Sequence, residues 1–291
     1  MNKPQWKRVT VVGCGLIGAS FAQALRKSGD CRQIAGWDSS SSVLNEALER
    51  GIVDEADQSS AIGTSSDLLY LSMPVGEIIK FLRERGGRIA PGALVTDTGS
   101  TKVKVCRAAQ AYLSERVRFI GGHPIAGGQQ SGLAHARGDL FENAPYVLTI
   151  GGRREPSKGS IALRKTLELL GARVIFMTAA EHDRTLALLS HLPQLMSSTL
   201  AAIVEGRCDA ETLLGVAGTG YRDMTRLAGS SWSMWRDILA TAPRPIAKAL
   251  DEMIEKLTAV RDELHEQTNL GGVALPISRK LFDRSQQKRR E

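Results

Sequence analysis

Along the first half of the chain, short runs rich in apolar and β-branched residues alternate with stretches whose apolar positions recur every three to four residues. The runs Val9–Val12, Gln33–Trp37, Leu68–Ser72, Ala93–Asp97, Val117–Gly121, Tyr146–Thr149 and Arg173–Phe176 read as strands. Segments between them, such as Ile17–Ser28 and Ser42–Arg50, read as amphipathic helices. Alternation of this kind predicts a parallel sheet covered by helices on both faces. From Ala179 onward the strand signal stops, and Ala180–Gly206, Asp209–Leu214, Met224–Leu227, Trp232–Thr241 and Pro245–Gln267 read as helices. In the last of these, Ile246, Leu250, Met253, Leu257, Val260 and Leu264 form one narrow apolar stripe. Such a stripe packs on another helix, either within the chain or in a second copy. The second half is too small to bury many helices alone, which favours the second copy.

The first strand runs into Gly13-Cys14-Gly15-Leu16-Ile17-Gly18, which opens a helix. Gly13 permits a tight turn, Gly15 lets a pyrophosphate approach the backbone, and Gly18 lets helix and strand pack closely. The helix N-terminus presents free N–H groups to phosphate. Asp38 ends the next strand, where a carboxylate accepts hydrogen bonds from ribose hydroxyls and repels a 2′-phosphate. The pattern therefore predicts a dinucleotide site that prefers NAD, although Asp38 also fits the role of helix N-cap. Ser72 and Pro74, in the turn after another strand, are expected near the nicotinamide end of the crevice. The expected architecture is an α/β Rossmann-type dinucleotide-binding domain over residues 1–178, followed by an all-α domain over 179–291, to which the family resemblance described below assigns dimerisation and substrate binding.

Two later loops carry polar groups that a merely structural loop does not need. They are Thr96-Asp97-Thr98-Gly99-Ser100-Thr101-Lys102 and Gly121-Gly122-His123-Pro124-Ile125-Ala126-Gly127-Gly128. Each follows a strand and so lies at the carboxyl edge of the sheet, where such folds bind ligands. A histidine flanked there by glycines is a candidate general base, because its pKa lies near neutrality.

The segments VVGCGLIGAS, DTGSTK, GGHPIAGG, the run from His182-Asp183 to Ser190-His191-Leu192-Pro193, and Gly220-Tyr221-Arg222-Asp223-Met224-Thr225-Arg226-Leu227-Ala228 occur in this order. As an ordered set they resemble the prephenate dehydrogenase family over about Val9 to Arg236. The resemblance implies NAD-dependent oxidation of a cyclohexadienol that bears a ring carboxylate, with loss of carbon dioxide and aromatisation. It implies that His123 takes the hydroxyl proton and that Ser100 bonds the same hydroxyl or orients His123. It assigns Arg226, with Arg222 nearby, to the substrate carboxylates, since a guanidinium grips a carboxylate through two parallel hydrogen bonds. Ser190 and His191 match polar residues of the substrate pocket. The downstream helices would be the family's dimerisation domain.

The chain departs from the family pattern at two positions. Gln129 stands where many members have an acid, and Gln194 where many have a further histidine. A neutral amide can donate to a keto group or accept from an ammonium, so prephenate and arogenate both remain open as substrate. Two other classes fit parts of the pattern. A β-hydroxyacid dehydrogenase would use a helical lysine, for which Lys248 and Lys256 are poorly placed. A dinucleotide-sensing protein would not need Ser100, His123 and Arg226 together.

Composition narrows the classes further. The 291 residues are 42% hydrophobic and only 5% aromatic, with a formal net charge of +7. No basic stripe interleaved with aromatics appears, so a nucleic-acid partner is not expected. A positive field suits small anionic substrates. The beginning of the chain shows no apolar signal core, and the four cysteines have no metal-ligand spacing. A cytoplasmic protein with free thiols and no metal is expected. The uncharged stretch Thr185–Val204 contains His191, Pro193 and Gln194, and reads as a buried helix rather than a membrane span. The basic end, RSQQKRRE, reads as a solvated, frayed tail.

Overall fold

The computed structural model describes residues 4–57, 62–126, 130–150, 158–267 and 275–290. Six parallel strands form the first sheet, in the order β3-β2-β1-β4-β5-β6. They are β1 (Trp6–Val12), β2 (Cys31–Trp37), β3 (Glu55–Ala56), β4 (Leu68–Leu71), β5 (Leu94–Asp97) and β6 (Arg118–Ile120). The connecting helices are α1 (Leu16–Ser28), α2 (Ser41–Glu49), α3 (Val75–Arg85) and α4 (Val103–Tyr112).

Alternation along each strand decides which face a side chain enters. Val9, Val11, Leu68, Tyr70 and Leu94 join one core, where Phe21 of α1 stacks on Tyr70 with ring centroids 3.8 Å apart. Val12, Leu69, Leu71 and Val95 join the other, under α3 and α4. These side chains are buried to 1% exposure or less. Each such burial stabilises the sheet by roughly 1.5–3 kcal/mol. The strand order reverses between β1 and β4, which opens the crevice at their carboxyl ends where ligands bind in folds of this type.

A second sheet, β7-β8-β9, corrects the expectation of one sheet. It comprises β7 (Gly122–Pro124), β8 (Pro145–Thr149) and β9 (Arg173–Met177), with α5 (Lys158–Leu169) preceding β9. β7 runs antiparallel to β8, and β8 parallel to β9. The chain leaves the first sheet at Ile120 and enters the second at Gly122. A Cβ on Gly121 would lie 2.7 Å from Thr149 Oγ1, and one on Gly122 would lie 2.5 Å from the Asp97 carbonyl oxygen. The two glycines are therefore what lets the sheets meet so closely. His123 consequently sits on a short strand, not in the loop expected for it.

Past β9 the chain is helical: α6 (Ala179–Leu186), α7 (Leu192–Glu205), α8 (Ala210–Gly215), α9 (Thr219–Thr225), α10 (Trp232–Thr241), α11 (Pro243–Gln267) and α12 (Pro276–Arg290). A capping box starts α6: the Thr178 hydroxyl accepts from Glu181 N, and Glu181 accepts from Thr178 N. The expected single helix Ala180–Gly206 is interrupted by a π-helical turn, Ala187–His191. Insertions of this kind are frequent at functional sites. The expected helix Met224–Leu227 instead comprises the end of α9 and a 3-10 turn, Arg226–Gly229.

The segment Ala179–Glu205 is long and apolar enough to cross a membrane, but only 28% of its most apolar window is buried. This corrects the expected buried helix. His191, Gln194 and Ser197 are buried, while Leu188, Leu189 and Ile203 are exposed. The α11 stripe divides as well. Ile246, Leu250 and Met253 pack in the helical core, whereas Leu257 and Leu264 are each 51% exposed. The basic end is not a frayed tail, because α12 carries it through to Arg290. The carboxylate of Glu263 on α11 starts that helix by accepting from Ile277 N, Ser278 N and Ser278 Oγ.

Candidate active site

The glycine loop lies at the switch point between β1 and β4. Gly13 has φ +95°, and a Cβ there would meet the Ser72 carbonyl oxygen at 2.1 Å. Gly18 touches Gly13: a Cβ would lie 1.9 Å from its carbonyl oxygen. Around Gly15, the N-cap of α1, nothing lies within 4 Å of such a Cβ, so the space before the helix N-terminus is open. Leu16 and Ile17 form the first turn of α1 and are half-buried. Asp38 accepts from Cys14 N at 2.8 Å and from Ser40 N at 2.9 Å. The N-cap of α2 is Ser40, so Asp38 is held against the glycine loop rather than serving as the cap. Ser72 is half-buried, and Pro74 is the exposed N-cap of α3. An open helix N-terminus, two crowded glycines and a carboxylate at the end of β2 fit a dinucleotide.

The second cluster surrounds His123. Its Nδ1 lies 2.8 Å from Nε2 of His182, whose Nδ1 lies 2.8 Å from Oδ1 of Asp183. The capping box at Thr178 starts α6 so that His182 ends its first turn and Asp183 begins the second, both buried. Asp183 also accepts from the backbone N–H groups of Lys102 at 2.7 Å and Val103 at 3.0 Å, at the start of α4. His123 is half-buried and His182 is wholly buried. Burial, reinforced by the neighbouring His182, Lys102 and His191, drives the pKa of His123 well down. Burial also lowers His182, although its bond to Asp183 opposes the change. At Asp183 burial acts upward, but the bonds from His182, Val103 and Lys102 outweigh it and hold the carboxyl low.

A third group lies on the helices. His191 is buried at the end of the π turn, with its pKa pushed down to about 4 chiefly by burial. Its ring meets Trp235 of α10 edge-on, with centroids 5.8 Å apart. Among the described residues, His191 Nδ1 and Trp235 Nε1 are buried side-chain polar atoms without a hydrogen-bond partner. Ser190 is half-buried beside His191. Gln194 donates to Leu227 O at 2.7 Å and accepts from Ser230 Oγ at 3.0 Å. Its amide thus stitches the turn that carries Arg226 onto α7. Arg226 and Arg222 are both exposed along this segment, and Ser100 is half-buried in the loop after β5. Gln129 lies outside the described residues. Lys248 and Lys256 sit on exposed positions of α11, away from the histidine cluster.

The cofactor half and the helical half are joined at this point. Thr101 bonds Thr241 at 2.7 Å, Lys104 donates to Ala240 O at 2.6 Å, and Gly76 N donates to Asp237 at 3.1 Å. Residues 21–176 match the family model for the nucleotide-binding domain of prephenate dehydrogenase, and residues 178–270 match the one for its dimerisation domain. The chain belongs to the prephenate dehydrogenase family.

Within that family, the chain is 34% identical over 265 residues to the prephenate dehydrogenase of Bacillus subtilis, covering 89% of this chain and 70% of the relative. Two solved structures are similar throughout. The arogenate dehydrogenase of Synechocystis is 31% identical, with a TM-score of 0.82, covering 97% of this chain and 98% of that one. The prephenate dehydrogenase of A. aeolicus, solved with hydroxyphenyl propionate and NAD+, is 28% identical, with a TM-score of 0.87 and 98% of each chain covered. Asp97, Lys102, His182 and Asp183 lie inside the sequence motifs, which do not reveal their contacts, and Trp235 lies in none of them. The T-x-x-E capping box just ahead of His182 was a legible sign that the His-Asp pair opens a helix.

Proposed function

We propose that this chain is an NAD-dependent prephenate dehydrogenase that converts prephenate to 4-hydroxyphenylpyruvate and carbon dioxide for tyrosine biosynthesis. The observation that carries the mechanism is the His123–His182–Asp183 chain. The Asp183 carboxylate accepts, so the proton of His182 sits on Nδ1 and its Nε2 carries a lone pair. That lone pair accepts from His123 Nδ1–H, which leaves His123 Nε2 free to act as a base. The lowered pKa keeps His123 neutral and ready to accept a proton near pH 7.

NAD, when bound, supplies the acceptor for the hydride that leaves the ring carbon. His123 Nε2 takes the proton of the hydroxyl on that carbon, with Ser100 bonding the same oxygen. The carbonyl so formed draws in the electron pair of the ring carboxylate bond as carbon dioxide leaves. Aromatisation drives this step, and the proton returns to the phenol oxygen. Gly13, Gly15, Leu16, Ile17 and Gly18 hold the pyrophosphate, Asp38 holds the ribose, and Ser72 and Pro74 border the nicotinamide. Arg226 and Arg222 receive the substrate carboxylates, while Ser190, His191, Gln194 and Gln129 line the side-chain pocket. Gln194 acts there chiefly by anchoring the Arg226 turn.

The domains divide at 178/179. The protein acts in the cytoplasm as a homodimer through its C-terminal helices, without nucleic-acid or membrane partners. Arogenate is the second reading, favoured by the likeness to the Synechocystis arogenate dehydrogenase.

Purified protein is mixed with NAD and either prephenate or arogenate, and absorbance of the reduced nicotinamide is followed. Rapid turnover of prephenate with little of arogenate is the expected result. The reverse preference reassigns the substrate and leaves the mechanism in place. No turnover of either, with NAD bound, overturns the reading.

A further inference from the structure

Asp97 and Lys102 form an ion pair with no solvent exposure at either side chain. Such a pair contributes little to stability by itself, since neutral residues of the same shape often do as well or better. Its other partners show where it acts. Asp97 Oδ2 accepts from Gly99 N at 2.8 Å, and its Oδ1 accepts from Gly122 N at 3.2 Å. Lys102 Nζ donates to Gly122 O at 2.7 Å as well as to Asp97. Gly99 immediately precedes Ser100, and Gly122 immediately precedes His123.

β7 is the edge strand of its sheet, and the ion pair takes both backbone polar groups of Gly122, where another strand would otherwise bind. Neither glycine has room for a side chain on this side: a Cβ on Gly99 would lie 2.8 Å from Asp97 Oδ2. The backbone N–H of Lys102 holds Asp183, so the same loop also fixes the partner of His182.

We propose that the buried Asp97–Lys102 pair is a positioning device that sets the separation of Ser100 and His123 by gripping the glycine ahead of each. It rests on the reading of His123 as the base and Ser100 as its companion. Displacing a reacting group by about 1 Å can cost roughly 100-fold in rate. The titratable groups acting on His123 are His182 from α6, Lys102 from the loop after β5 and His191 from the π turn; Asp183 stands behind His182, and Asp97, at the end of β5, stands behind Lys102. Of these, Lys102 is one that holds the His123 pKa down.

The test compares Lys102→Met, Asp97→Asn and the double variant, using whichever dienyl substrate the wild type turns over. Absence of wild-type turnover would count against the functional reading and not against the positioning role. The single variants should lose about 100-fold in kcat, with KM for NAD unchanged because the glycine loop is separate. In Lys102→Met the acid limb of kcat/KM should move to higher pH. The double variant removes both charges at nearly constant shape, so its melting temperature should recover toward wild type while kcat stays low. A double variant that melts like wild type, with kcat within about threefold and an unchanged pH profile, would overturn the proposal. If the double variant does not fold, Asp97→Asn, which keeps Lys102 and the side-chain shape, carries the test: kcat within about threefold of wild type there would equally overturn the proposal.

Discussion

The two halves of the chain bury their apolar residues in different ways. In the nucleotide-binding half each strand sends alternate side chains into two cores, and Val9, Val11, Leu69 and Val95 lose all contact with water. In the helical half a small core gathers around Ile238, Ile246 and Ala249, while Leu189, Val216, Ile254, Leu257 and Leu264 remain at least half exposed. A sheet covered on both faces closes its core within one chain. Amphipathic helices with apolar residues beyond one stripe need a further surface. The difference teaches that the first half closes its core within the chain, whereas the second leaves apolar helix faces uncovered. The proposed chemistry lies on the seam, where His123 from one half meets His182 of the other and, through it, Asp183.

The largest effect is expected at that seam. Replacing His123 with Asn removes the base while nearly keeping its volume, and kcat should fall by about 10³-fold with NAD affinity preserved. Steady-state rates with isothermal titration of NAD check this. A loss below about tenfold would point to a lysine-based chemistry and move the reaction away from the seam.

A second experiment probes the exposed stripe. Leu257→Glu places a charge at a half-exposed helix position, a change that in an isolated monomer shifts stability by about 0.5 kcal/mol or less. If the stripe is a dimer seam, the same change buries an unpaired carboxylate and weakens association by several-fold or more. Sedimentation velocity across protein concentrations separates the cases. An unchanged dimer after the substitution would place the interface elsewhere.

The smallest effect expected is on the pH dependence of stability. His123, His182 and His191 have folded pKa values below the ordinary 6.5, with His191 near 4. The unfolded chain therefore takes up protons first as pH falls. Their contribution is complete above about pH 6.5 and is lost progressively toward pH 4. Melting temperatures measured from pH 7.5 to 4.5 should decline in that window, and less steeply in His191→Asn. An equally steep decline in that variant would show that His191 does not contribute to the loss of stability in acid.

Much of this molecule was legible in one dimension. The seven strands expected from apolar runs are all present; the signal is plainest in β4, which is buried on both faces and must be apolar throughout. The glycine loop was readable because backbone sterics alone demand glycine where φ is positive or a carbonyl lies 2 Å from a would-be Cβ. The end of β2 likewise marked Asp38. Other features were not readable. The three residues of β7 are too few to show a period, so His123 looked like a loop residue. The π turn at Ala187–His191 leaves no composition signal. The helix α12 looked like a charged tail, since its start is held by a carboxylate of α11, Glu263, which is remote in sequence.

The order of apolar and polar residues, together with steric demands of single glycines, determined the parallel sheet, the dinucleotide crevice and the helical second half. These are local matters, decided within a few residues by pleat, helical period and backbone sterics. Only the tertiary structure decided that His123 abuts His182, that Asp97 and Lys102 grip the glycines before Ser100 and His123, and that Gln194 ties down the Arg226 turn. Each of those contacts joins residues from different elements. Their placement depends on how whole sheets and helices pack, which no periodicity along the chain encodes.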